Sequence, residues 1–158
     1  MFEQFSERSR RVIFLARMNA GRGGAAAIEP VHLLDAIVRE DQGEMAIMFA
    51  AAVTSSGPLR PPERSFFSAE IASQILSLLG PLMSLQTKPV ADSVDMDCSP
   101  ALGETFASAS ALAKELHHDK VQPLHLLAII LSTETGELGE ILKRVGLSRE
   151  AVVAVIGP

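Results

Sequence analysis

The chain contains no tryptophan and no tyrosine, and phenylalanine supplies all of its 4% aromatic content. A core must therefore be assembled from Leu, Ile, Val, Ala and Met, a set that favours helices over sheets. A single cysteine, Cys98, rules out an intramolecular disulfide and a thiolate metal cage, and points to a reducing compartment. No run approaches the roughly 18 apolar residues of a membrane span, and no charged-then-apolar leader opens the sequence. The reading is a cytoplasmic protein. Positive charge is also short, with 14 Lys and Arg against 19 Asp and Glu for a net charge of −5. That balance excludes nucleic acid or an anionic membrane as the main partner. The Arg8, Arg10, Arg11 cluster reads as a solvated helix face.

Catalytic signatures are missing as well. There is no phosphate-cradling G-x-x-x-x-G-K-[ST] sequence, Ser55-Ser56-Gly57 is no nucleophile elbow, and Gly21 to Gly24 follows no strand as a dinucleotide fingerprint would. His117, His118 and His125 bear no recognised ligand spacing, so no metal is expected. No cofactor and no enzymatic activity are expected.

What is present is an internal duplication. Ile28 to Val38 and Val121 to Leu131 share Pro, His, Leu, Leu and Ile at an offset of 93, the distance from His32 to His125. The offset extends upstream, pairing Ile13 with Phe106, Ala16 with Ala109 and Ala20 with Ala113, and downstream to Met48-Phe49 and Ile141-Leu142. Pro30 and Pro123 suit the first turn of a helix, where a missing N–H costs nothing. Pro30, His32, Leu33 and Leu34, with Pro123, His125, Leu126 and Leu127, thus form the structural motif, and both histidines read as buried and hydrogen-bonded. Two copies would close on each other about a pseudo-two-fold axis.

At 158 residues the chain is one domain, read as repeat one over 1–85, a connector over 86–98 and repeat two over 99–158. In order, Ser6 caps a first helix with Val12, Ile13, Ala16 and Ala20 inward, and the glycines after it stop it. The Pro30 helix runs to about Arg39, and a short helix carries Met45, Met48, Phe49 and Ala52. The breaker-rich stretch from Thr54 to Pro62 reads as a loop. Ser68 caps a helix that Gly80-Pro81 should kink or end. After the connector, Ser99-Pro100 opens a helix with Leu102, Phe106, Ala109, Ala113 and Leu116 inward, and His117 to Lys120 turns the chain into the Pro123 helix. A short helix ends at Gly146, and Ser148 caps a last one with Val152, Val155 and Ile156 inward. The prediction is an all-α bundle of about eight helices, four per repeat, with essentially no sheet.

Met1 to Ile13 closely resembles the opening of ClpC-type chaperone ATPases, and the two Pro-x-His-Leu-Leu stretches resemble the repeated motif of the Clp N-terminal domain, the Glu-Pro form being nearest to ClpB-type members. The resemblance covers nearly the whole chain. It implies a compact helical domain that binds adaptors or unfolded substrates, has no catalysis of its own and partners a Clp ATPase. Phe2, Arg10 and Ile13 match the family's ligand-facing start and are the protein-binding candidates. Val31 and Leu124 stand where ClpC-type repeats carry an acidic residue, so phosphoarginine recognition is not expected. The leading reading is a stand-alone substrate or adaptor receptor, monomeric or weakly dimeric, working through a hydrophobic groove between the repeats. The alternatives are a self-associating structural or regulatory module that competes for Clp adaptors, and, behind it, a small-ligand protein or enzyme on the same scaffold.

Overall fold

A computed structural model describes residues 4–43, 65–83, 96–134 and 136–157. Seven helices lie among them: α1 (Glu7–Arg22), α2 (Pro30–Asp41), α3 (Ala69–Met83), α4 (Pro100–Glu115), α5 (Pro123–Thr133), α6 (Gly136–Arg144) and α7 (Arg149–Ile156). The expected short helix around Met48, the loop after it and most of the connector fall outside the described residues.

Helix starts obey local chemistry. Ser6, Ser99 and Ser148 each accept a backbone N–H from the third residue on, those of Ser9, Leu102 and Ala151, and so satisfy a donor that the first turn leaves open. In α2 and α5 the N-caps are Glu29 and Gln122, proline follows, and the motif histidine closes the turn. The N–H of Glu29 donates to His32 Nδ1 at 2.9 Å, and that of Gln122 to His125 Nδ1 at 2.8 Å. The repeated histidine is thus a capping residue, buried in both copies.

The α3 helix does not end at Gly80-Pro81. α3 continues through Gly80 and Pro81 to Met83. Pro81 withholds a hydrogen bond only from the Ser77 carbonyl, and both residues are exposed, so water can serve that carbonyl at the helix end.

α1 packs on α2 as α4 packs on α5, α3 covers α2 as α7 covers α5, and α2 and α5 meet at the centre. Leu33, Leu34, Ile37, Leu126, Leu127 and Ile130, all at most 1% exposed, form this double-helix core. Among the described residues the only strand-like pairing is two isolated parallel bridges, and these show the symmetry. Phe5 pairs with Val121 and Ile28 with Cys98. Ser6 N–H donates to the Val121 carbonyl at 3.0 Å and Val121 N–H to that of Gln4 at 2.8 Å. Ninety-three positions on, Ser99 N–H donates to the Ile28 carbonyl and Ile28 N–H to that of Asp97, both at 2.9 Å. The segment leading into each repeat therefore pairs with the other repeat, and Phe5 sets its ring edge-on to Phe106 across the same junction, 5.7 Å between centroids.

Candidate functional site

Two recesses follow from this symmetry, one at the start of each central helix. The smaller, about 250 Å³, is lined by Ala25, Ala26, Ala27, Glu29, Val31 and His32 with Leu82 and Met83 from the end of α3. The larger, about 610 Å³, holds the pseudo-equivalent residues His118, Asp119, Lys120, Gln122 and Leu124, with Val155 and Ile156 from the end of α7 taking the place of Leu82 and Met83. It is larger because it runs on across the repeat boundary, over Arg8, Ile37, Glu40, Asp41 and Phe66. The result is a groove between the repeats with an apolar floor and a charged rim. Val155 lies 61% exposed at its edge, a correction to its expected inward place, because α7 has a single fully buried side chain, Val152.

The polar groups of the groove are mostly spoken for. The Arg8 guanidinium grips the Glu40 carboxylate two-pronged, at 2.7 Å through Nε and 2.9 Å through the terminal nitrogen, and this bond holds the Arg8 pKa above its ordinary value. The Asp41 carboxylate accepts the backbone N–H groups of Phe66 and Phe67 at 2.7 and 3.0 Å, pinning the segment that enters α3. His118 Nδ1 lies 2.9 Å from His125 Nε2. Since the Gln122 N–H already occupies His125 Nδ1, the neutral ring carries its proton on Nε2 and donates it to His118, which fixes both tautomers. Burial first, and the facing His118 second, push the His125 pKa down to about 4; burial alone lowers that of His32.

The turn that presents His118 is itself unusual. His117 has φ +61°, the one described residue other than glycine with a positive φ. Its N–H bonds the Lys114 carbonyl and that of His118 the Ala113 carbonyl, a Schellman closure of α4. Repeat one makes the same closure with Gly24 at φ +71°. A histidine thus holds a place where glycine costs less, and its exposed ring stands over the groove.

The sequence candidates are not gathered at this site. Phe2 lies outside the described residues. Arg10 is exposed on α1 and Ile13 half-buried against the core, and neither lines the groove. Arg8, read as part of a solvated helix face, instead turns to Glu40 at the groove, His118 was weighed only as a metal ligand, and Glu40 was not singled out by sequence. Val31 and Leu124 are half-buried at equivalent places in the two recesses. The Cys98 thiol is half-buried, its pKa raised by burial and by Asp97, which keeps it a thiol. Among the described residues no helix is long and apolar enough to cross a membrane, and no three His, Cys, Asp or Glu side chains converge as a metal site.

Residues 97–156 match the Clp repeat (R) N-terminal domain. No curated protein matches the chain in sequence. Three solved structures resemble it in fold. One comes from preliminary structural investigations of a malarial protein secretion system, at 20% identity and a TM-score of 0.72 over 97% of this chain and 92% of that one. The N-terminal domain of the caseinolytic protease associated chaperone ClpD from Arabidopsis thaliana shares 20% identity with a TM-score of 0.62, over 98% and 92%. The Hsp104 N-terminal domain from Candida albicans shares 15% with a TM-score of 0.63, over 95% and 87%.

Proposed function

We propose that this chain, whose residues 97–156 belong to the Clp repeat N-terminal domain family and which carries that fold throughout, is a non-catalytic receptor for segments of substrate or adaptor proteins. The observation that carries the reading is the groove between the repeats. Its apolar floor of Ile37, Phe66, Pro123 and Leu124 accepts hydrocarbon side chains, and its volume is in the range of sites that bury a ligand of several residues. The polar rim is closed on itself through Arg8–Glu40 and His118–His125, so it orients rather than reacts. Phosphoarginine is not the ligand, because Val31 and Leu124 offer no carboxylate to its guanidinium and burying that group beside them would leave donors unpaired, at about 1–3 kcal/mol each. A Clp ATPase is the partner to which such a receptor would deliver.

The test is retention of a reduced, alkylated and permanently unfolded model protein, with a photo-crosslinker placed at Val155. Crosslinks at Val155, and a loss of roughly tenfold in affinity in Leu124→Asp as an apolar contact becomes an unpaired charge, are the expected results. Equal retention by the wild type and Leu124→Asp, with the variant folded, would remove the groove from the proposal. A concentration-dependent dimer that Leu124→Asp dissociates would favour the self-associating module.

A further inference from the structure

We propose a second docking surface, on the solvent face of α1, for an acidic protein segment that carries an aliphatic or aromatic anchor. α1 holds five arginines and one glutamate, a net +4 within a chain of −5, so the remainder carries −9. Arg8 is turned to Glu40 at the groove, which leaves Arg10, Arg11, Arg17 and Arg22 against Glu7, with Arg11 3.6 Å from Glu7. In the middle of its outer face stands Phe14, 55% exposed and one of two large apolar side chains so open among the described residues. Residues three and four apart are neighbours on a helix, which sets Arg10, Arg11, Arg17 and Met18 around that ring. An exposed phenylalanine bordered by guanidiniums and a methionine is the composition of an interface centre, where Phe, Met and Arg are enriched.

The pseudo-symmetry supplies the control. α4 occupies the same place in repeat two and packs on its own central helix in the same way. At the positions equivalent to Arg10, Arg11, Phe14, Arg17, Met18 and Arg22 it carries Gly103, Glu104, Ala107, Ser110, Ala111 and Glu115. Repeat two thus keeps the same helix pair with neither the charge nor the aromatic ring at these sites, and of the two equivalent helices only α1 presents a basic outer face with a phenylalanine in it. The patch is not the groove. Arg8, which lines the groove, sits about 120° around the helix from Phe14. The occupant must be acidic because the face is basic, and it must bring an apolar side chain because Phe14 otherwise stays wet. An anionic bilayer is disfavoured by the −9 carried by the rest of the molecule.

The experiment measures binding of a labelled peptide of glutamates with two leucines at i and i+4 to the full chain, at low and raised salt, beside a peptide in which glutamine replaces each glutamate. Binding is expected for the acidic peptide alone and is expected to weaken with salt. Phe14→Ala, on an exposed helical position that alanine suits, should weaken it roughly tenfold, and Arg10→Glu with Arg17→Glu should abolish it. Val155→Ser, at the groove edge, should leave it unchanged. The proposal is overturned if the acidic peptide does not bind, if Phe14→Ala binds as the wild type does, if Val155→Ser removes binding, or if phosphatidylserine vesicles bind and the peptide does not. Because the groove reading is tested with unfolded protein and Leu124→Asp, either proposal can fail while the other stands.

Discussion

The two repeats share a backbone plan and differ in what ties their helices together. In repeat one, α1 and α2 are joined by charge. Asn19 Nδ2 and Arg39 Nε both donate to the Asp35 carboxylate, 1% exposed, at 2.6 and 2.9 Å, and Arg8 grips Glu40. At the equivalent positions repeat two has Leu112, Ser132, Ala128, Ala101 and Thr133. There the α4–α5 contact is mostly hydrocarbon, and the polar work is done instead by the His118–His125 pair at the groove, where repeat one has Ala25 facing His32. Hydrocarbon contacts neither titrate nor are screened by salt, whereas charged contacts titrate and are screened. The same architecture can thus be stabilised by two chemistries, and each half carries its own sensitivity.

The largest expected effect tests whether the halves are equivalent at all. Leu33→Ala and Leu126→Ala remove fully buried side chains from matching places on α2 and α5, and each should cost about 2–5 kcal/mol in urea denaturation. A loss confined to one of them would show that only that repeat carries the core. Next, Asp35→Ala leaves the Asn19 amide and the Arg39 guanidinium without their shared acceptor and should cost about 3 kcal/mol. Importing the repeat-two residues together, Asn19→Leu, Asp35→Ala and Arg39→Ser, should restore most of it. A triple variant as unstable as the single one would mean that the charged contacts are not interchangeable with apolar ones.

Acid sharpens the comparison from the other side. The folded chain holds His32 and His125 below the ordinary histidine value, so the unfolded chain binds their protons more readily. Their contribution is complete above about pH 6.5 and declines as pH falls towards about 4, where His125 protonates in the folded state as well. On the order of 3 kcal/mol should be lost across that window through His125, read as stability against pH. His118→Ala removes the facing ring and should shallow the slope, with no matching effect from changes at Ala25. The smallest effect concerns the helix closures. His117→Gly should stabilise by about 0.5–1 kcal/mol and Gly24→Ala should destabilise by a similar amount, since the two positions share a left-handed backbone. A neutral His117→Gly would show that the ring gains in place what the backbone loses.

The duplication was readable because the same residue types recur at one offset of 93, and the motif helices and serine caps because each rests on residues close in sequence. What was hidden depends on long-range neighbours. The reciprocal bridges involve Phe5, Ile28, Cys98 and Val121, whose backbone pairing leaves no side-chain pattern. The groove draws Arg8, Glu40, Phe66, His118 and Val155 from five separate segments, and nothing in any one of them marks the others. In α7 the apolar residues Val152, Val155 and Ile156 look alike to a helical period, and only the packing against α5 decides which of them is buried. Pro81 was read as a kink or an end because sequence does not tell whether the carbonyl it orphans faces water.

The crossed pairing of the lead-in segments bears on how such a domain could have arisen and how it can go wrong. A single repeat, on its own, would have the hydrogen-bonding edges at Ser6 and Ile28 open, and could close them only against a second copy related by a two-fold axis. The duplicated chain is, in that sense, a dimer made covalent. It follows that residues 1–83 and 96–158 made as separate pieces should reassemble into one domain when mixed. It also follows that at high concentration two intact chains can exchange halves, each repeat of one closing on the opposite repeat of the other, without forming any contact that the single chain does not already make.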